Sequence, residues 1–182
     1  MTVIDVERIR FEFGASWTIV EKWDNTDAFR HGVCKLQDSK AVDIVGVRDG
    51  DLYLIEVKDY RGYAIESKAR QSNELPLVMG CKVRDTIAGL VGASRMVPTP
   101  WLDTCAGLLL EKKQRVYVVA WVADPAVRPS EPLQKRDTWM KTRRDGVKQR
   151  LSWLTSYVQV ENPFNGRVGD VVAQNLPGAG QR

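Results

Sequence analysis

Residues 40–61 read KAVDIVGVRDGDLYLIEVKDYR, two apolar runs on either side of Asp49-Gly50. Asp-Gly between alternating apolar runs favours a two-residue hairpin turn, because both central positions need positive φ. That turn sets a register. Arg48 faces Asp51, counting outward sets Asp43 opposite Glu56, and Lys58 follows on the same face as Glu56. Two carboxylates facing each other on a strand pair repel, and an isolated buried charge is expensive. A local rule broken at the centre of an apolar hairpin marks a candidate functional site. A divalent cation between the carboxylates would remove the conflict; so would an ordinary ion pair of Asp43 with Lys58 or Lys40.

The stretches around the hairpin supply a sheet and its covering helices. N-terminal to it, Val3, Val6, Ile9 and Phe13 are spaced as on a short opening helix that ends at Gly14. WTIVEKW, residues 17–23, reads as a first strand, and Asp24-Asn25-Thr26-Asp27 is turn chemistry. Residues 29–36 fit an irregular crossing or a short strand equally well. C-terminal to the hairpin, residues 61–73 are polar and read as an exposed loop. Helices are expected over 77–96 and 101–113, with Pro98 and Pro100 between them. RVYVVAWVA, residues 115–123, is a continuous apolar run that fits a strand covered on both faces. After Pro125, Pro129 and Pro132, a helix over 133–154 carries Met140, Val147, Leu151 and Leu154 on its apolar side. Gly146 costs that helix on the order of 1 kcal/mol relative to alanine and is a place for it to break. Residues 157–160 fit a last edge strand. This order predicts an α/β fold with a mixed central sheet of about four to five strands flanked by helices. The organisation expected is one domain over residues 1–174 and a flexible tail over 175–182.

Composition is that of an ordinary globular chain. Of 182 residues, 43% are hydrophobic and 27% charged, enough for one well-buried core. No apolar run approaches the roughly 20 residues of a membrane span, and the N-terminus lacks the apolar core of a secretory signal. Both point to the cytoplasm and away from membranes. Cys34, Cys81 and Cys105 show no CxxC spacing and read as reduced, buried thiols. His31 is the one histidine, which excludes multi-histidine metal chemistry. No GxxxxGK[ST] or GxGxxG is present, so ATP use is not supported. The six tryptophans (Trp17, Trp23, Trp101, Trp121, Trp139, Trp153) read as core and edge packing.

Charge is unevenly placed. Lys135, Arg136, Lys141, Arg143, Arg144, Lys148 and Arg150, against Asp137 and Asp145, give the segment +5, while the whole chain nets +4. Such a cluster suits the phosphates of DNA, or of RNA, which shares that chemistry, and equally a solvated helix face.

Mg²⁺ binds through one or two carboxylates, keeps several waters and accepts substrate phosphate oxygens. Asp43 and Glu56 offer such a pair, and Lys58 beside them can orient or deprotonate a water, or neutralise charge developing on phosphorus. Val42-Asp43, twelve intervening residues, then Glu56-Val57-Lys58 resembles the catalytic signature of the PD-(D/E)xK nuclease superfamily, with valine where the nominal motif has proline. Residues 17–24, Phe29-Arg30, residues 40–44, residues 55–61 and Lys82-Val83-Arg84-Asp85-Thr86 are similar, more closely, to a group of small uncharacterised bacterial proteins. That similarity spans roughly residues 10–122.

The resemblance implies a restriction endonuclease-like core of helix, three strands, helix and strand. It implies Mg²⁺- or Mn²⁺-dependent hydrolysis of DNA, with Asp43, Glu56 and Lys58 catalytic and Asp43, Glu56 and the Val57 carbonyl on the metal. It also implies a further acid, for which Glu7, Glu12 and Glu21 all qualify, and a polar or basic group from the following helix, Lys82 or Arg84. A homodimer or a larger defence or repair assembly would be the expected setting. The reading from a different class is a nuclease-like fold kept for binding nucleic acid or protein.

Overall fold

The computed structural model describes residues 1–61, 67–123, 133–164 and 168–177, with side chains from 74 and from 137 onward in its two longest helices. Thr2–Val6 (β1) and Ile9–Phe13 (β2) form an antiparallel hairpin, so the opening helix is not formed. The reason lies in the burial pattern. Ile4 and Val6, then Ile9, Phe11 and Phe13, are buried in alternation while Val3 is exposed, a period of two rather than 3.6. Glu7, with φ of 52°, makes the tight turn between them.

Trp17–Lys22 (β3) leads through a single capped turn, Asp27–Arg30 (α1), to Ile44–Arg48 (β4) and Asp51–Asp59 (β5). Asp49 and Gly50 both take positive φ, 52° and 81°, as a two-residue turn of right-handed twist requires. Arg48 pairs with Asp51 and Ile44 with Ile55, the register expected. Ser67–Met96 (α2) starts earlier than anticipated, so 67–73 are helical rather than loop, while 62–66 lie outside the described residues. Pro100–Leu110 (α3), Val116–Ala123 (β6) and Leu133–Leu151 (α4) follow, with the proline connector outside the described residues. Helix α4 continues through Gly146, because the missing Cβ leaves room for Pro76 of α2: a methyl group there would lie 3.0 Å from the proline Cγ.

Val158–Glu161 (β7) completes a five-stranded mixed sheet in the order β3-β4-β5-β6-β7, antiparallel up to β5 and parallel from β5 to β7. Val171–Asn175 (β8) pairs with β2 in a second, three-stranded sheet. A tail starting at 175 is therefore corrected: Asn175 is paired with Ile9, and residues 178–182 lie outside the described residues.

The main sheet is a sandwich filling. One face, with Val45, Val47, Leu52, Leu54, Val118, Ala120 and Val122, packs on the helices through Met79, Val83, Leu90, Leu102 and Val147. The other, with Ile44, Tyr53, Ile55, Val57, Val119 and Trp121, packs on the small sheet through Ile4, Val6, Ile9, Phe11 and Phe13. Phe11 stacks on Trp121 at 4.5 Å. Strand β5 is thus covered on both faces, where each buried aliphatic contributes about 1.5–3 kcal/mol. At the helix-facing position after Leu52 and Leu54, the residue is Glu56.

Candidate active site

The carboxyl ends of β5, β6 and β7 lie at one edge of the sheet, the edge at which open α/β sheets place ligands. There the chain puts its least comfortable charges. Glu56 is fully buried, and burial first, then the negative charge of Asp43, pushes its carboxyl up to about 7 despite Lys58 and Lys82. Lys58 Nζ lies 2.6 Å from Glu56 Oε1, on the face the strand period assigns it. Burial works to lower the Lys58 ammonium, but its ion pair with Glu56 and the nearby Asp43 hold it above its usual value. Lys58 is therefore a cation at neutral pH, suited to neutralising charge rather than taking a proton.

Asp43 precedes the first residue of β4, and its Oδ2 accepts the Val57 N–H at 2.6 Å. Val57 thus enters the site through its amide. The segment leading to Asp43 is pinned from α2. Thr86 Oγ1 accepts the Val42 N–H at 3.0 Å, and Asp85 Oδ2 accepts that of Lys40 at 3.0 Å. Val83 is buried in the helix-side core. The Lys-Val-Arg-Asp-Thr run is thereby explained residue by residue, with Arg84 the outlier: it is largely exposed and pairs with its neighbour Asp85.

Lys82 stands at the centre. Its Nζ is 2.7 and 2.8 Å from the two oxygens of Glu56 and 4.0 Å from Asp43 Oδ1. Among the described ion pairs, Asp43 is partnered by Lys82 rather than by Lys58 or Lys40. Glu56 Oε1 lies 2.6 Å from the Lys58 ammonium and 2.7 Å from that of Lys82, while Oε2 accepts a hydrogen bond from Lys82 at 2.8 Å.

Of the further acids, Glu7 reaches the site's margin. Its Oε2 accepts the Asp59 N–H at 3.0 Å, and burial raises its pKa, with Lys58, Asp59 and Asp43 close enough to act on it. Glu12 is instead bonded by Gln174 at the outer sheet, and Glu21 is half-buried beside Cys105; neither joins the quartet of Asp43, Glu56, Lys58 and Lys82. Asp24, which in the sequence shows only turn chemistry, does approach it. Burial, then the charge of Asp43, raises its pKa, while Lys82 acts against this, and its buried Oδ1 has no hydrogen-bond partner among the described residues. The legible signal was register: Lys22 pairs with Ile44, and Trp23 N–H bonds the Asp43 carbonyl at 2.9 Å, so the end of β3 abuts the start of β4.

Among the described residues, no three His, Cys, Asp or Glu side chains close on one point in the manner of a metal site. What converges is a pair of carboxylates on a single positive atom, Lys82 Nζ. Two carboxylates are donors of the kind Mg²⁺ accepts alongside waters and phosphate oxygens, whereas the Lys82 ammonium offers no lone pair to a metal.

On α4, Lys141, Arg144 and Arg150 are exposed and Lys148 half-buried. Arg143 stacks on Trp139 at 3.7 Å. Arg144 acts on half-buried Glu161 at the carboxyl end of β7. The side chains of Lys135 and Arg136 lie outside the described ones. Trp17, Trp23 and Trp121 are core residues as expected, whereas Trp153 is 60% exposed. Of the three thiols expected to be buried, Cys105 is buried, Cys81 is only partly so, and Cys34 is exposed, because it lies in the irregular crossing before β4 rather than in the core. No described helix is long and apolar enough to cross a membrane.

Among curated proteins, the chain is similar to a cysteine–tRNA ligase of Neisseria meningitidis serogroup A / serotype 4A (strain DSM 15465 / Z2491). The two are 28% identical over 120 residues, covering 51% of this chain and 17% of the ligase. The match thus spans less than a fifth of that relative's length. No family model and no solved structure matches the chain.

Proposed function

We propose that the protein is a metal-dependent phosphodiesterase acting on DNA, built on a restriction endonuclease-like core in which a β-hairpin stands in place of the first helix. The observation that carries this reading is the buried Glu56, opposed to Asp43 at the carboxyl edge of the sheet and flanked by Lys58. Asp43 and Glu56 would hold a divalent cation, with the Val57 carbonyl as a further ligand and Asp24 or Glu7 within reach of the same margin. When bound, the ion would lower the pKa of a water and stabilise charge developing on phosphorus.

The protein's own contribution is placement and charge. Thr86 and Asp85 hold the segment before Asp43, the Val57 amide fixes the Asp43 carboxylate, and Lys58 neutralises negative charge at the reacting phosphate. Lys141, Arg144, Lys148 and Arg150 would bind the phosphate backbone without reading sequence, so affinity falls with salt.

The test is cleavage of single- and double-stranded DNA in Mg²⁺ or Mn²⁺ by the wild type and by Asp43→Ala, Glu56→Ala and Lys58→Ala. Cutting by the wild type and loss in all three variants supports the assignment; equal activity in all four overturns it.

One observation favours a binding-only module instead. Asp43, Glu56, Lys58 and Lys82 carry two charges of each sign, so the quartet is neutral without any further ion. Calorimetric titration separates the two readings. A nuclease binds Mn²⁺ and loses it in Asp43→Ala, whereas a binding module takes up none in either.

A further inference from the structure

Lys82 is the one member of the quartet that comes from outside the hairpin, and it holds the position a cation shared by Asp43 and Glu56 would hold. Its ammonium meets both oxygens of Glu56, at 2.7 and 2.8 Å, and stands 4.0 Å from Asp43 Oδ1. A divalent ion and this ammonium compete for the same oxygens. If the ion entered with both lysines in place, the quartet would change from neutral to +2 around a fully buried carboxylate, and like charges a few ångströms apart repel strongly in such surroundings. One ammonium has to leave. Lys58 is held two residues from Glu56 on the same strand face. Lys82 reaches in on a flexible four-carbon stem from α2; its side chain is 17% exposed against 26% for Lys58, but it touches both oxygens of Glu56 and so stands where the ion would.

We infer that Lys82 is a tethered counter-ion that occupies the metal position and is exchanged for the divalent cation, so that the chain regulates its own metal occupancy. The inference rests on the nuclease reading and deepens it. In the absence of metal, the lysine keeps two opposed carboxylates from repelling each other and stabilises the hairpin end. On exchange it moves to the mouth of the site, where the anion left to pair with it is a phosphodiester. Apparent metal affinity is reduced by the fraction of molecules in which Lys82 is already displaced. Removing the lysine therefore strengthens metal binding. A residue that merely supports the site would have the opposite effect.

The experiment is calorimetric titration of Mn²⁺ into the full chain, as wild type, Lys82→Met and Lys82→Gln, with thermal melts of each in EDTA and in Mn²⁺. Methionine keeps the stem's apolar volume, and glutamine serves as the second variant if methionine does not fold. The expected result is Mn²⁺ binding about tenfold tighter in the variants, following from the removed competition. Their melting temperature should be lower than wild type in EDTA and should rise more on adding Mn²⁺. DNA cleavage at saturating Mn²⁺ should be slower, so that affinity and rate change in opposite directions. Equal or weaker Mn²⁺ binding in both variants overturns the Lys82 inference alone. Absence of Mn²⁺ binding from all three proteins overturns it together with the metal-site reading beneath it.

Discussion

Glu56 and Asp59 lie three residues apart on β5, both with fully buried side chains, and their surroundings differ in almost every respect. Asp59 faces the small sheet. It is bonded by Arg8 Nε at 3.0 Å, by Arg61 Nε and Nη2 at 2.8 Å each, and by the Arg61 amide at 3.0 Å. Burial works to raise its pKa, but these donors hold it below the usual carboxylate range. Glu56 faces the helices, meets ammoniums on flexible stems and another carboxylate, and is pushed up to about 7. Asp59 is a buried charge whose partners satisfy it with directed bonds. Glu56 is a buried carboxyl whose two ammonium partners do not offset its burial and the charge of Asp43, the condition under which an exchangeable cation has something to gain. On the proposed reading, Asp59 serves stability and Glu56 serves chemistry.

The largest expected effect tests the second half of that contrast. Glu56→Gln should lower Mg²⁺-dependent cleavage by on the order of 10²–10³-fold or more, while its melting temperature in EDTA stays near wild type. The reason is that the long lysines can turn to solvent once the carboxylate is gone. A stable, fully active Glu56→Gln would break the comparison.

Asp59→Asn should do the reverse. It should cost about 2–3 kcal/mol, below the usual figure for breaking a buried pair because Arg8 and Arg61 are partly exposed. For a chain of this size that is a fall in melting temperature of roughly 5–10 °C, with cleavage per folded molecule close to wild type. Thermal melts alongside single-turnover rates check both variants.

The two carboxylates also predict opposite pH dependence. Glu56 titrates near 7 when folded and at its ordinary 4.5 when unfolded, so the native state holds the extra proton between those values. Its contribution to stability is complete below about 4.5 and is lost as pH rises through 7. Asp59 is lowered in the fold from 3.8; its contribution is present above that value and is lost as pH falls through the lower one. Melting temperature in EDTA should therefore show a decline between pH 5 and 7 that disappears in Glu56→Gln and persists in Asp59→Asn.

The smallest effect concerns the support for Asp43. Thr86→Val leaves the Val42 N–H without its acceptor, costing about 1–2 kcal/mol. Displacement of Asp43 should slow cleavage by about tenfold without abolishing it. Urea melts and rates under the same conditions would reveal the split.

Much of the hairpin side of this contrast is legible from residues 40–61, because Asp49-Gly50 sets a register that a period of two carries to Asp43, Glu56 and Lys58. The partners were not, since they arrive from distant stretches. Lys82 becomes central only when α2 crosses the sheet, and nothing local separates it from Arg84, two residues on and exposed. Asp24 looks like turn chemistry until β3 pairs with β4. The Arg8–Asp59–Arg61 cluster stayed hidden because residues 3–13 satisfy a helical spacing at Val3, Val6, Ile9 and Phe13. Only the burial of Ile4 and Phe11 distinguishes two strands from one helix. The β2–β8 pairing joins the two ends of the described chain, a contact between residues more than 150 positions apart that no local pattern encodes.

The most direct measurement is a calorimetric titration of Mn²⁺ into wild type, Glu56→Gln and Asp59→Asn at neutral pH. The prediction is one binding event in the wild type, preserved in Asp59→Asn and lost in Glu56→Gln. Binding by Glu56→Gln with wild-type affinity would contradict the account.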